Sequence, residues 1–461
     1  MTKKGTNKNN KEIIIGDFFK ESFTDFSAYA SYRAMGSYSD GLKNSQRKVV
    51  YTMQRKIKNN VEKVSRLASI VGLTTEYLHG EASLEQTISN LTRNWDKPFP
   101  ILEEKGAFGS RTITKAASPR YIFTKKNENF DLVFPVDFYN IEVLQNFEGS
   151  KIEPKSLTPI LPILLINGNT GIGSGFAQNI LPRNPKIIKE GIEKYLKSKA
   201  KDPSRILNNL EMEINYPNFI GEIRREGLKT VFLGVIEVKN TTTLEIKDLP
   251  IGYTIESYIK VLEELIEKKL IVSYIDKSED NWFNFIIKVK RQDLSTKKMS
   301  FDVDVNGIPE IIKTFKLTKS QTENFSCTGP ENDFFEFKSE IEVLEKYIEF
   351  ILERYELLKE YKLNVLEELI NSLSEKARFI DLVIKSKIVI SNKSRKDIEK
   401  QLDKNKFNNH DIYLNMKIYS LSKEKYEELL KEIEENKGKK EILLNKSIKE
   451  LYLDDLKKIK F

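Results

Sequence analysis

A chain of 461 residues is too long for one ordinary hydrophobic core, since domains average roughly 100–200 residues. Hydrophobic residues at 39% and charged residues at 31% exclude a disordered or fibrous chain, and 76 Lys+Arg against 68 Asp+Glu leave a net +8. That modest excess suits a polyanionic partner without identifying one.

The N-terminal residues 1–15, beginning MTKKGTNKNNKE, form a basic, polar tail expected to be disordered. It has no apolar signal core, and no run of about 18 apolar residues follows anywhere, so the expectation is a protein neither secreted nor membrane-spanning. The single cysteine, Cys327, excludes a disulfide framework and fits a reducing compartment such as a bacterial or phage-infected cytoplasm. Residues 16–145 read as short helices and loops punctuated by Gly36, Gly41, Gly72, Gly80, Gly106 and Gly109. From 146 to 330 the pattern becomes β-rich, with strand-like LPILLI (161–166), KTVFLGVIEV (229–238), TTLEIKDL (242–249) and WFNFIIKV (282–289), and one helix near 254–271. Residues 331–461 open on a long amphipathic helix whose apolar positions (Leu344, Ile348, Ile351, Tyr355, Leu358, Val365, Leu369) recur in steps of four and three. A Glu/Lys-rich helix near 421–457, with Tyr426, Leu430 and Ile433, could return antiparallel to it, around a small apolar tip at about 380–420. The pattern alone favours a generic coiled coil with an irregular hairpin, and the gate reading needs the rest of the sequence.

Several residues carry chemistry. Lys43, Gln46, Arg47 and Lys48 cluster in SDGLKNSQRKVV (39–50) at a helix start, where cations and amides would meet a phosphate backbone. Arg120 stands beside Tyr121 after a glycine-punctuated loop, a pairing that by itself also fits an ordinary half-buried tyrosine. NGNTGIGSG (167–175) is glycine-rich but has neither the Lys-Ser/Thr of a P-loop nor the spacing of a dinucleotide fingerprint. FDVDVNG (301–307) imitates an Asp-x-Asp metal pair, yet no partner glutamate motif precedes it, and it reads as strand and turn.

Taken in order, YRAMGSYSDGLKNSQRKVVYTM (32–53), EYLHGEASLEQTISNLTRNW (76–95), GAFGSRTITKAASPRYIFT (106–124), LPILLINGNTGIGSGFAQNILPRN (161–184), RFIDLVIKSKIVISNKSRKDI (378–398) and LNMKIYSLSKEK (414–425) resemble consecutive segments of type IIA DNA topoisomerases. The wording is closest to the eukaryotic and T-even-phage forms and covers the breakage-and-rejoining half. Asn44 replaces the family's usual proline. The resemblance implies a multidomain α+β fold: a winged-helix module, a β-rich tower and a long antiparallel coiled coil ending in a gate. It implies that Tyr121 attacks a DNA phosphodiester to form a transient 5′-phosphotyrosyl break, with Arg120, Arg33, Lys43 and His79 around the phosphate. Gln46, Arg47, Lys48 and Asn167 would contact DNA, and Ile172 would wedge between base pairs. It also implies a homodimer on double-stranded DNA and a separate ATPase/TOPRIM subunit that binds ATP and Mg²⁺, this chain holding no metal. The chain ends soon after the returning helix, so the expected activity is relaxation and decatenation. A non-catalytic architectural DNA-binding protein on the same scaffold is the alternative.

Overall fold

The computed structural model describes residues 15–461 except 21, 201–202 and 306. The expected tail lies outside the described residues save for Ile15, which opens helix α1 (Ile15–Lys20). Two compact units emerge: one holds the described residues up to Val136 with Glu142–Ile351 and Asp455–Phe461, the other Asp137–Ile141 with Leu352–Asp454.

The first unit continues with α2 (Ser22–Ala34), α3 (Asn44–Arg55), α4 (Val64–Thr74) and α5 (Glu81–Thr92). Helical spacing explains them: Leu84, Ile88 and Leu91 on α5, and Leu67, Ala68 and Val71 on α4, line up on single faces and are all buried. Strands β1 (Glu62–Lys63), β2 (Leu102–Lys105) and β3 (Phe123–Lys126) form an antiparallel sheet with β3 in the centre. After α6 (Phe130–Val133) and the hairpin β4 (Leu144–Phe147), β5 (Ser150–Pro154), the chain reaches LPILLI.

That segment is helical, as α7 (Ile163–Asn167), which corrects the strand expectation. Its apolar side chains are buried all round, so no period distinguishes strand from helix in the sequence. The deciding contacts are Leu165 and Ile166 N–H donating to Pro162 O at 3.0 and 3.1 Å. Strands β6 (Asn169–Ile172) and β7 (Ala177–Ile180) then make a hairpin, followed by α8 (Pro185–Lys197) and α9 (Ser204–Asn208).

The β-rich stretch runs β8 (Glu222–Glu226), β9 (Lys229–Leu233), β10 (Val235–Asn240), β11 (Thr243–Asp248), α10 (Ile255–Glu267), β12 (Ser273–Asp276), β13 (Phe285–Lys288), α11 (Glu310–Thr314), β14 (Thr318–Thr322), β15 (Asn324–Thr328) and β16 (Phe334–Phe337). These build sheets of order β14-β9-β8 and β10-β11-β13-β12, while β15 and β16 extend the hairpin into β16-β15-β7-β6. Tyr258, Leu262 and Leu265 of α10 seat on Leu244, Ile246, Phe285 and Ile287 in one core. KTVFLGVIEV thus contains two strands, split at Gly234, where an added Cβ would meet Asp248 O at 2.6 Å.

Helix α12 (Glu340–Ile384) is 45 residues long and passes from the first unit into the second. Its apolar stripe is buried from Leu344 to Leu358, whereas Val365 and Leu369 are exposed. In the second unit, Lys359 Nζ donates to Leu444 O and Lys446 O, and Lys440 pairs with Glu367 at 3.4 Å, so α15 (Lys423–Asn445) runs antiparallel to α12. The expected single returning helix is in fact two, because Ser447 and Glu450 cap a new start at α16 (Ile448–Lys458), with Ser447 N–H donating to Glu450 Oε2 at 2.8 Å. On α15 it is Leu429 and Ile433 that are buried, while Leu430 is exposed. Between them, α13 (Arg395–Lys404) and α14 (His410–Leu414) close a small core of Phe379, Ile380, Leu402, Phe407 and Tyr413.

Candidate active site

Tyr121 lies two residues before β3, in the loop that leaves β2. Two glycines shape this loop. Gly106 has φ +117° with Ile122 Cγ2 3.1 Å from where a Cβ would be, and Gly109 has φ +88° against Thr114 O at 2.9 Å. Backbone bonds then tie it down: Ala117 N–H to Ala107 O (2.9 Å), Tyr121 N–H to Ser118 O (2.9 Å) and Val64 N–H to Ile122 O (3.1 Å). With Ile122 buried inward, Tyr121 must point out, and its side chain is 72% exposed. Arg120 is exposed beside it. Among the described residues neither side chain has a hydrogen-bond or ion-pair partner.

The far end of the loop is anchored by Arg111, which sequence reasoning leaves without a role. Its Nη2 pairs with Asp248 at 2.7 Å and donates to Leu249 O at 2.8 Å, while Nη1 donates to Asn218 O at 2.7 Å. Phe219 and Phe283 sandwich the guanidinium, with ring centroids 5.1 and 5.3 Å away. A buried arginine has no signature in one sequence that separates it from a surface one.

Arg33 and His79 come together around Tyr29. Arg33 lies 5.7 Å from the Tyr29 ring centroid, and Tyr29 Oη is hydrogen-bonded to His79 Nε2 at 2.6 Å. Burial, then the Arg33 and Lys48 charges, hold His79 below the ordinary imidazole range, so it is neutral at pH 7. Lys43 stands elsewhere, donating to Thr170 O on β6 at 2.6 Å, and burial together with Lys97 depresses its ammonium. No contact among the described residues joins Tyr121 to Arg33, Lys43 or His79. Gln46 uses its side-chain carbonyl to accept from Lys43 N–H at 2.9 Å, capping α3.

Three residues expected to contact DNA lie buried in the protein. Arg47 is 1% exposed and grips Asp40 through two bonds, Nε to Oδ2 at 2.6 Å and Nη2 to Oδ1 at 3.1 Å. Lys48 is spent on Glu153 at 2.7 Å and Thr75 O at 2.9 Å. Asn167 holds the Phe99 backbone with both ends of its amide, accepting from N–H at 3.0 Å and donating to O at 2.7 Å. Each of these groups meets a partner inside the protein, as buried polar groups must.

Ile172, in contrast, is 87% exposed at the end of β6. Its hairpin rests on α2 through glycines: a Cβ on Gly171 would fall 2.0 Å from Ala34 O, and one on Gly173 would fall 2.4 Å from Ser31 Oγ. Gly171→Ala is therefore expected to push the hairpin off α2 and destabilise the fold by about 1–3 kcal/mol. Urea unfolding reads this, and an unchanged midpoint would mean the hairpin does not depend on that contact.

Burial raises the Cys327 thiol to about 12, leaving it protonated and unsuited to nucleophilic work. In the Asp-x-Asp decoy, Asp304 accepts from Ile308 N–H at 2.8 Å and pairs with Lys313 at 2.7 Å, both structural uses. Among the described residues no three His, Cys, Asp or Glu side chains converge as metal ligands. Nor is any helix long and apolar enough to cross a membrane.

Comparison with known proteins follows the same lines. A profile of the DNA gyrase/topoisomerase IV family, in its A-type subunits, matches residues 33–459. DNA topoisomerase 2 of Plasmodium falciparum is 29% identical over 97% of this chain, which spans only 34% of that relative's length. The DNA topoisomerase medium subunit of Enterobacteria phage T4 is 27% identical over 94% of this chain and 96% of its own length. The fold, mixed helix and sheet, superposes on the crystal structure of the Plasmodium falciparum topoisomerase II DNA-binding, cleavage and re-ligation domain with a TM-score of 0.83 and 30% identity, over 96% of this chain and 63% of the other. With a family profile spanning nearly its whole length and a matching fold, the chain belongs to the family of A-type subunits of DNA gyrase and topoisomerase IV.

Proposed function

We propose that this chain is the DNA-cleaving and rejoining subunit of an ATP-dependent type IIA topoisomerase, with Tyr121 as its nucleophile. The observation that carries the reading is the presentation of Tyr121: a phenol held outward by a pinned loop, 72% exposed, with the Arg120 cation as its neighbour. A tyrosyl ester conserves the energy of the phosphodiester, so cutting stays reversible. Tyr121 Oη bonds to phosphorus, the bond to the 3′ oxygen breaks, and the phenolic proton is balanced by the proton that the freed 3′ hydroxyl gains. The 5′ end remains on the protein. Arg120 offsets the charge that grows on the phosphoryl oxygens, and Arg33, Lys43 and the neutral His79 are assigned to hold the DNA around that phosphate. Double-strand passage requires two such tyrosines on a two-fold axis, hence a homodimer. Its outcome would be relaxation and decatenation of duplex DNA inside the cell.

Within this reading, residues 16–145 form the winged-helix module, supported by the β1-β3-β2 sheet beside α3–α5. Residues 146–330 form the tower, and 331–461 the coiled-coil arm with a gate tip at about 380–420, supported by the antiparallel pairing of α12 and α15. Mg²⁺ and ATP are assigned to an ATPase/TOPRIM partner, as the resemblance implies. The test mixes this chain with that partner, Mg²⁺ and end-labelled duplex, then traps the reaction with denaturant. Protein linked to 5′ ends supports the reading. Tight duplex binding without any linkage would sink it in favour of an architectural protein.

Ile172 is assigned as the wedge, because its side chain is exposed on a hairpin that the glycines clamp to α2. Ile172→Ala should leave thermal stability unchanged but reduce the bend of a doubly labelled duplex and weaken its binding by about tenfold. A bend angle equal to wild type would remove Ile172 from that role.

A further inference from the structure

The C-terminal half of α5 and the β6 strand face one another across a polar cleft lined by Lys43, Gln86, Asn90, Arg93, Lys97 and Thr170. Its polar groups are poorly satisfied. Asn90 Oδ1, Arg93 Nε and Asp96 Oδ1 are buried without a hydrogen-bond partner among the described residues. Lys97 has no partner among them either, and Lys43 uses one of its three donors on Thr170 O. The only carboxylate in the lining, Asp96, is already facing Arg93 at 3.6 Å. Three cations against one anion, with donors unspent, are what an oxyanion site requires.

We propose that this cleft is a subsite for a backbone phosphate other than the scissile one, held by Lys43 and Lys97, which moves Lys43 from the phosphate at Tyr121 to the strand beside the wedge and makes Lys97 a positioning residue for the bend made at Ile172. The proposal rests on the chain binding duplex DNA. Asn90 serves as a further donor once its amide turns its NH₂ inward. Thr170 and Ile172 lie on the same exposed face of β6, two residues apart. At about 3.3 Å per residue that separation is roughly 6.6 Å, close to two nucleotide steps of about 3.4 Å along one strand. The cleft would therefore clamp the strand within a step or two of the wedged base pair, so that the backbone cannot slide to relieve the kink. Like-charge repulsion between Lys43 and Lys97 in the free protein is relieved when a phosphate bridges them.

The experiment measures binding of the full chain to a labelled duplex across a range of salt concentrations. It compares wild type, Lys97→Gln, Lys97→Arg and the surface control Lys260→Gln, whose lysine side chain is 71% exposed on α10. Lys97→Gln should lower the magnitude of the log–log salt slope by about 0.9 and weaken binding about three- to tenfold at moderate salt. Lys97→Arg should restore most of both, Lys260→Gln should change neither, and Lys97→Gln should reduce duplex bending. An unchanged slope and affinity in Lys97→Gln overturns the proposal, as does an equal effect in Lys260→Gln. A site for free phosphate instead would show as a higher melting temperature in inorganic phosphate than in chloride of equal ionic strength, with no change of slope, and that also overturns it. If Lys97 matters for binding but wild type forms no covalent adduct, the cleavage reading fails while this subsite stands. If adducts form and Lys97 is irrelevant, the reverse holds.

Discussion

Tyr121→Phe should abolish the covalent protein–DNA adduct, a loss of at least about 10⁴-fold, while duplex affinity stays within about twofold. The change deletes one oxygen from a side chain that is 72% exposed and makes no hydrogen bond among the described residues, so folding should be untouched. The phenol at Tyr29 is engaged elsewhere, its hydroxyl hydrogen-bonded to His79 at 2.6 Å. End-labelled duplex trapped with denaturant gives the readout, and thermal unfolding of the variant serves as control. Adducts surviving in Tyr121→Phe would move the nucleophile to another residue while leaving the family unchanged.

Arg47→Met should destabilise the first unit by roughly 3–5 kcal/mol, the largest single stability effect expected here. Asp40 is 0% exposed, and beyond the guanidinium it accepts, among the described residues, only from Leu42 N–H and Leu157 N–H, each at 3.0 Å. Burial works against the Arg47 charge, yet Asp40, with Tyr32 and Glu153, more than restores it, and the guanidinium is held above its ordinary range. Removing Arg47 leaves an uncompensated carboxylate between α3 and the Leu157 segment. Adding Asp40→Asn to Arg47→Met should recover part of the loss, because the stranded charge is gone. Urea unfolding of the two variants decides it. Equal midpoints for Arg47→Met and wild type would show that the pair carries no net stability, and a double variant no better than the single would locate the cost in packing.

Arg47 also marks where reading the sequence stops. In SDGLKNSQRKVV, the charges at 43, 47 and 48 look alike, and the pattern alone turns all three toward DNA. A helix turn separates them: α3 is buried on all sides from Arg47 to Met53, so Arg47 and Lys48 lie inside with Val49, Val50 and Met53. Lys43, at the cap, stays near the surface cleft. Asn167 misleads for a similar reason, since its amide closes on the Phe99 backbone, 68 positions away in sequence.

Legible in the sequence were the family, the glycine-punctuated loops that carry Arg120-Tyr121 and Ile172, and the long amphipathic helix. These depend on local order: contiguous motifs, φ-demanding glycines and a repeat of fours and threes, all readable within a window of a few turns. Only the tertiary structure decided that LPILLI is helical, that Arg111 anchors the tyrosine loop to Asp248, and that Arg47, Lys48 and Asn167 are internal. Each depends on a partner far away in sequence, and whether a polar side chain faces water or a distant carboxylate is set by how the elements pack, which no local pattern encodes.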